Sequence, residues 1–174
     1  MNRHVCWHSL NRLVGKHHSL SSEEKLQLAS KLSGFYHECT IHFTDYSTTV
    51  IRPYDNYLLL ACQMYWEIWQ ETLENDLFWK AAILLTNALK TSPASYNLRL
   101  LLIKFLNQIG AVGASHHFHQ GLELKHVQLD SMGYILSRHI QSCGHFHASI
   151  SLMSSTLKFF NTNYKDVIIF DMHI

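Results

Sequence analysis

A chain of 174 residues with 47% hydrophobic content has enough apolar side chains for one compact domain or a short array, and it is not composed like a disordered segment. Fourteen basic against thirteen acidic residues leave a formal charge of +1 with no charge run, which offers no footprint for direct nucleic-acid contact or for an anionic membrane surface. The four cysteines, Cys6, Cys39, Cys62 and Cys143, form no CxxC, nothing resembling a secretory h-region opens the chain, and no apolar run reaches membrane length; the sequence reads as a cytoplasmic protein with reduced thiols.

Taken in order, Arg3 to Val14 reads as a helix with Val5, Leu10, Leu13 and Val14 on one face, ended by Gly15 at the C′ position. Ser22 caps the next helix. Glu23 and Glu24 stand in its first turn, favourable near the positive end of the dipole, and its apolar line is Leu26, Leu28, Ala29, Leu32, Phe35 and Tyr36. These two N-terminal helices make up residues 1–39. Residues 40–53, TIHFTDYSTTVIRP, are rich in threonine and end on Pro53, which disfavours helix at Arg52, so they read as an extended connection lying across the helices.

Helix pairs are then expected from 54 to 160. Tyr54 to Leu73 is densely apolar, Asn75 or Asp76 caps a second helix from about Leu77 to Lys90, and Ala81, Leu85, Ala88 and Pro93 reproduce the second-helix half of the tetratricopeptide pattern. Ser95 caps Tyr96–Ile109, Gly110 turns the chain and Val112–Leu122 returns; Asp130 caps Ser131–Cys143, Gly144 turns and His145–Phe160 returns. The last two pairs are one segment occurring twice. Sliding by thirty-four residues lays Leu98–Leu122 on Met132–Thr156, with Leu102 on Leu136, Gly110 on Gly144, Ala114 on Ala148 and Ser115 on Ser149. A unit of this kind cannot bury its apolar face without neighbours, so function is expected on a surface built by stacking. Residues 161–174 read as a C-terminal tail, whose Val167, Ile168, Ile169 and Phe170 have no following helix to cover them. The array is therefore expected to be a fragment of a longer one.

Chemistry is harder to find. His116, His117, His119, Cys143, His145, His147 and the His17–His18 pair do not have the paired spacing of a tetrahedral zinc site, although His116 and His119 at i, i+3 with His145 one repeat later form a conceivable stacked set; surface and core-edge histidines are the expectation. Gly110 to Ala114, GAVGA, follows a helix and lacks a βαβ setting. Gln108 before it opens a run similar to the acetyl-coenzyme A signature, but Ala111 stands where the first glycine is required. No GxSxG occurs and no carboxylate pair is placed for acid–base work, with Glu74 and Asp76 reading as capping and surface charge, so no residue is assigned a catalytic, cofactor-binding or metal-ligating role and no cofactor is expected. Asn97, Lys104, Asn107 and Arg138 lie on first helices, where some tetratricopeptide domains hold a peptide carboxylate, but Gln70 replaces the third cation one period upstream. A free-standing adaptor binding peptide C-termini is the alternative function.

The order IGAVG, LELKHVQLDSMGYILSRH and TLKFFNTNYKD, preceded by KLQLASKLSGFYHE and RPYDNYLLLACQMYWEIW, resembles the middle region of the auxiliary subunits of the N-terminal acetyltransferase B complex over most of Glu24–Asp166. VIIFDMHI does not resemble the family's continuation. The resemblance implies an all-α, tetratricopeptide-like α-solenoid that is non-catalytic. It would wrap a separate catalytic acetyltransferase subunit and help place it at the ribosome for acetylation of chains beginning Met-Asp, Met-Glu, Met-Asn or Met-Gln. It also implies packing roles for Gly110, Ala114, Gly144 and Ala148.

Overall fold

The computed structural model describes the backbone of residues 2–43, 47, 49–123 and 132–171, with side chains to residue 161. Every regular element among the described residues is a helix: α1 (Asn2–Leu13), α2 (Ser22–His42), α3 (Asp55–Thr72), α4 (Asn75–Thr91), α5 (Tyr96–Gln108), α6 (Val112–Gln120), α7 (Tyr134–Ser142) and α8 (Phe146–Asp171). This is the all-α class that the spacing predicts. Two compact units divide the chain within α5, Met1–Phe105 and Leu106–Ile174.

In the first unit α3 is the central helix, packed against α1, α2 and α4. Its sequence is apolar on almost every side, which is the pattern of a helix surrounded by others, and Leu58, Ala61, Cys62, Met64 and Tyr65 are fully enclosed. The inward side of α4 is Phe78, Ala81, Leu85 and Ala88, as the repeat pattern predicts. Small side chains there bring the helices together, so that the Cys62 thiol lies 3.8 Å from the Ala81 carbonyl oxygen. Trp66, Phe78 and Phe105 close the far end with ring centroids 4.8 to 6.2 Å apart. At the other end Asp55 is buried in the first turn of α3, where it accepts the Ser92 hydroxyl at 2.6 Å and a second bond from Ser95. Burial pushes its carboxyl pKa up against those two bonds and nearby Arg52.

Several local expectations are corrected. Ser21, not Ser22, caps α2: its hydroxyl accepts from the Glu24 backbone N–H while the Glu24 carboxylate accepts from the Ser21 N–H, a reciprocal box that needs the serine three residues ahead of the glutamate. Ser22 instead donates to Glu71 at 2.6 Å. Helix α2 runs on to His42, three residues into the expected connection, with the Thr40 hydroxyl bonded back to the His37 carbonyl. Neither Asn75 nor Asp76 caps α4. Glu74 precedes that helix without a side-chain cap, and Asn75 accepts the Trp69 indole N–H at 3.3 Å. Only Val5 of the aliphatic line in α1 is buried; Leu10, Leu13 and Val14 are exposed. At about 100° per residue, Val5, His8 and Arg12 share one side of the helix and Trp7, Leu10 and Val14 the other.

The second unit has a small core of Val112, Leu136, Ile140 and Ala148, with Leu152 packed on it. The repeated turn is reproduced bond for bond. Gly110, at φ 71°, donates to the Asn107 carbonyl and Ala111 to that of Leu106; Gly144, at φ 74°, donates to Gln141 and His145 to Ile140, each pair thirty-four residues on. These are Schellman ends, which need a left-handed residue at C′. Gly15 in the first unit makes the same pair of bonds to Arg12, with Lys16 to Asn11. Of the residues expected to pack closely, Ala148 is buried but Ala114 is exposed, and the adjacent Ser115 takes the interior place. The last helix does not stop at Phe160: it continues to Asp171 where a tail was expected, because no glycine or proline stands after Gly144 to end it. Asp130 and Ser131 lie outside the described residues.

Candidate docking surfaces

Two features of the first unit gather polar side chains. One is Glu67 on α3: Arg12 donates to its carboxylate, the His18 ring lies 3.4 Å away, and Lys25 on α2, bonded to Glu71 at 2.6 Å, lies 3.9 Å away. Nearer the start of α3, His4 on α1 bonds the Tyr57 hydroxyl at 2.8 Å and its ring meets that of His8 edge-on. Burial first, then His4, His17 and Lys31, lower the His8 pKa to about 4, and burial and Arg12 lower that of His17. The other is a groove of about 430 Å³ along α3 and α5. Leu59, Gln63, Trp66 and Gln70 line it from α3 and Asn97, Leu100, Leu101 and Lys104 from α5, while Arg12 and Glu67 close one side. The Lys104 ammonium lies 4.6 Å from the centre of the Trp66 ring.

The four residues considered for holding a carboxylate are thus separated in role. Asn97 and Lys104 share the groove. Asn107 is an internal residue of the second unit: its amide donates to the Ile135 carbonyl at 3.0 Å and accepts the buried Ser115 hydroxyl, so both ends are occupied. Arg138 is exposed on α7, and Gln70, where a third cation was missing, lines the groove.

The histidine clusters resolve into packing. His119 is buried, with a pKa lowered by burial and then by His116. His116 is likewise lowered by burial and then by His145, whose ring lies against Gly113, 3.6 Å from where a Cβ would stand. Cys143 and His147 are exposed. Among the described residues no three His, Cys, Asp or Glu side chains form a metal-holding set.

The second unit carries an apolar line that the sequence reading did not single out. Phe146, Ile150, Met153, Leu157 and Phe160 are all exposed on α8, at alternating spacings of four and three. Ala148 and Leu152 face the core from an adjacent side of the helix. The helix therefore has two apolar sides, one packed and one open, with the spacing that seats a second helix. That spacing is legible in the sequence once the whole helix is laid out at 3.6 residues per turn. No described helix is long and apolar enough to cross a membrane.

Residues 1–170 match the family described as the non catalytic subunit of the N-acetyltransferase B complex (NatB). Human N-alpha-acetyltransferase 25, NatB auxiliary subunit, is 30% identical over 170 residues, covering 95% of this chain and 17% of the relative. The mouse protein of the same name is 31% identical over 166 residues, with the same coverage. The phagocyte signaling-impaired protein of Drosophila pseudoobscura pseudoobscura is 28% identical over 167 residues, again over 95% of this chain and 17% of its own length. The chain thus spans 17% of the length of these curated relatives. By a match that runs over nearly all of its residues, the chain belongs to the family of non-catalytic subunits of the NatB complex.

Proposed function

We propose that this chain serves in a NatB complex as part of the non-catalytic scaffold that binds the catalytic acetyltransferase subunit. It would help to position that subunit, at the ribosome in the cytoplasm, for co-translational acetylation of chains beginning with Met followed by Asp, Glu, Asn or Gln. Family membership supports the role, and the observation that carries a docking function is the open apolar line of α8. Such an open apolar line is what a scaffold offers a helical partner. The chemistry would rest with the partner.

Co-purification tests this reading. The full chain, tagged and co-expressed with the NatB catalytic subunit, is expected to retain it. The double substitution Ile150→Glu with Leu157→Glu, at two exposed positions, should reduce capture about tenfold or more without altering the chain's own melting temperature. Equal capture by parent and variant, or none by either, overturns the assignment.

A further inference from the structure

We propose that the α3–α5 groove of the first unit is a binding site for an extended acidic peptide segment, with Lys104 receiving a carboxylate. This does not rest on the scaffold reading: it concerns the other unit and a different class of ligand.

Three observations carry it. The first is shape. Leu59 to Gln70 is eleven steps along α3, or about 16 Å at 1.5 Å per residue. The groove offers about 430 Å³ along that length. An extended chain of about five residues spans that length at about 3.3 Å per residue.

The second is charge. Glu67, the acid of the groove, is already met by Arg12, with Lys25 3.9 Å away. Lys104 is exposed, lies over the Trp66 indole and has no carboxylate within ion-pair distance among the described residues. The charge left unmatched along the groove is positive. A carboxylate is its complement, and the indole beneath gives the ammonium an apolar side that strengthens such a pair.

The third is the arrangement of amides. Gln63 and Gln70 on α3 and Asn97 on α5 each carry a donor and an acceptor. That set can engage the main chain of a peptide whatever its side chains. Leu100 and Leu101 supply apolar contact between them. The carboxylate can be a peptide's own terminus or an Asp or Glu side chain, since either presents the same two oxygens.

An array of ten-residue peptides graded in Asp and Glu content, each made with a free and an amidated C-terminus, tests the site by fluorescence anisotropy on the full chain. Affinity is expected to rise with acid content and to fall about tenfold with Lys104→Met, the scale of one close charge pair. Gln70→Ala, at a second exposed position, should weaken binding about threefold, on the scale of a net hydrogen bond. Arg138→Met, an exposed cation of the second unit, should leave it unchanged. Loss on amidation assigns the terminal carboxylate and retention the side-chain carboxylate, and both support the site. Affinity indifferent both to acid content and to amidation, equal affinity in the Lys104→Met variant, or no binding across the array overturns it.

Discussion

Asn107 shows how a polar side chain on a helix becomes internal. Its amide joins the Ile135 carbonyl to the Ser115 hydroxyl, and Asn107 and Ser115 are both buried. Replacing it leaves two enclosed groups unsatisfied, so Asn107→Leu is expected to cost about 2–4 kcal/mol in denaturant unfolding, against less than about 1 kcal/mol for Asn97→Leu on the groove. His8 gives a second residue-scale expectation. Its folded pKa is held to about 4 by burial and by neighbouring His4, His17 and Lys31, below the ordinary value of 6.5. Below that ordinary value the unfolded chain binds the proton first, so stability falls as pH drops through the window from 6.5 to about 4 and levels off beneath it. His17 shifts in the same direction. Denaturant midpoints at about pH 7 and about pH 5 should therefore differ, and His8→Leu should reduce the difference while His17 sustains part of it.

Glycines separate turn from helix at the scale of the element. Gly110 turns α5 into α6 at φ 71°, and the nearest atom to an added Cβ would be the Cys143 sulfur at 3.8 Å. Space is available, so the cost of Gly110→Ala is that of left-handed backbone, about 1 kcal/mol. Gly34, inside α2 with nothing within 4 Å, has no such requirement, and Gly34→Ala is expected to gain up to about 1 kcal/mol. Opposite shifts in the unfolding midpoints check both. The same comparison shows what the sequence discloses about elements. Gly15, Gly110 and Gly144 were legible as helix ends because a residue free to take positive φ is chemically required there. The buried side of α1 was not, because Leu10, Leu13 and Val14 were read for hydrophobicity, while Arg12 and His8 hold the inward positions through Glu67 and neighbouring rings. The length of α8 was missed through the opposite error, an apolar run taken as a tail with no residue present to stop the helix.

At the scale of the molecule, the thirty-four-residue period disclosed most, since it pointed to the class of fold, the order of the last four helices and both repeated turns. The candidate sites were less legible. Spacing placed Asn97, Lys104 and Asn107 on one helix, but only packing shows that the first two line a groove and the third is enclosed. The resemblance to NatB auxiliary subunits held at the level of the family, and the apolar line of α8 gives that family role a surface on which it can be tested. The N-terminal helix has a different kind of consequence. Because α1 is seated by His4 on Tyr57 and Arg12 on Glu67 as well as by Val5, its attachment has angular demands that an oily seam lacks. Sliding it by one position would swing the guanidinium about 100° away from its acceptor. Uniqueness of register is thereby gained at the expense of strength, leaving Trp7, Leu10 and Val14 outward on a helix that can dock in only one way.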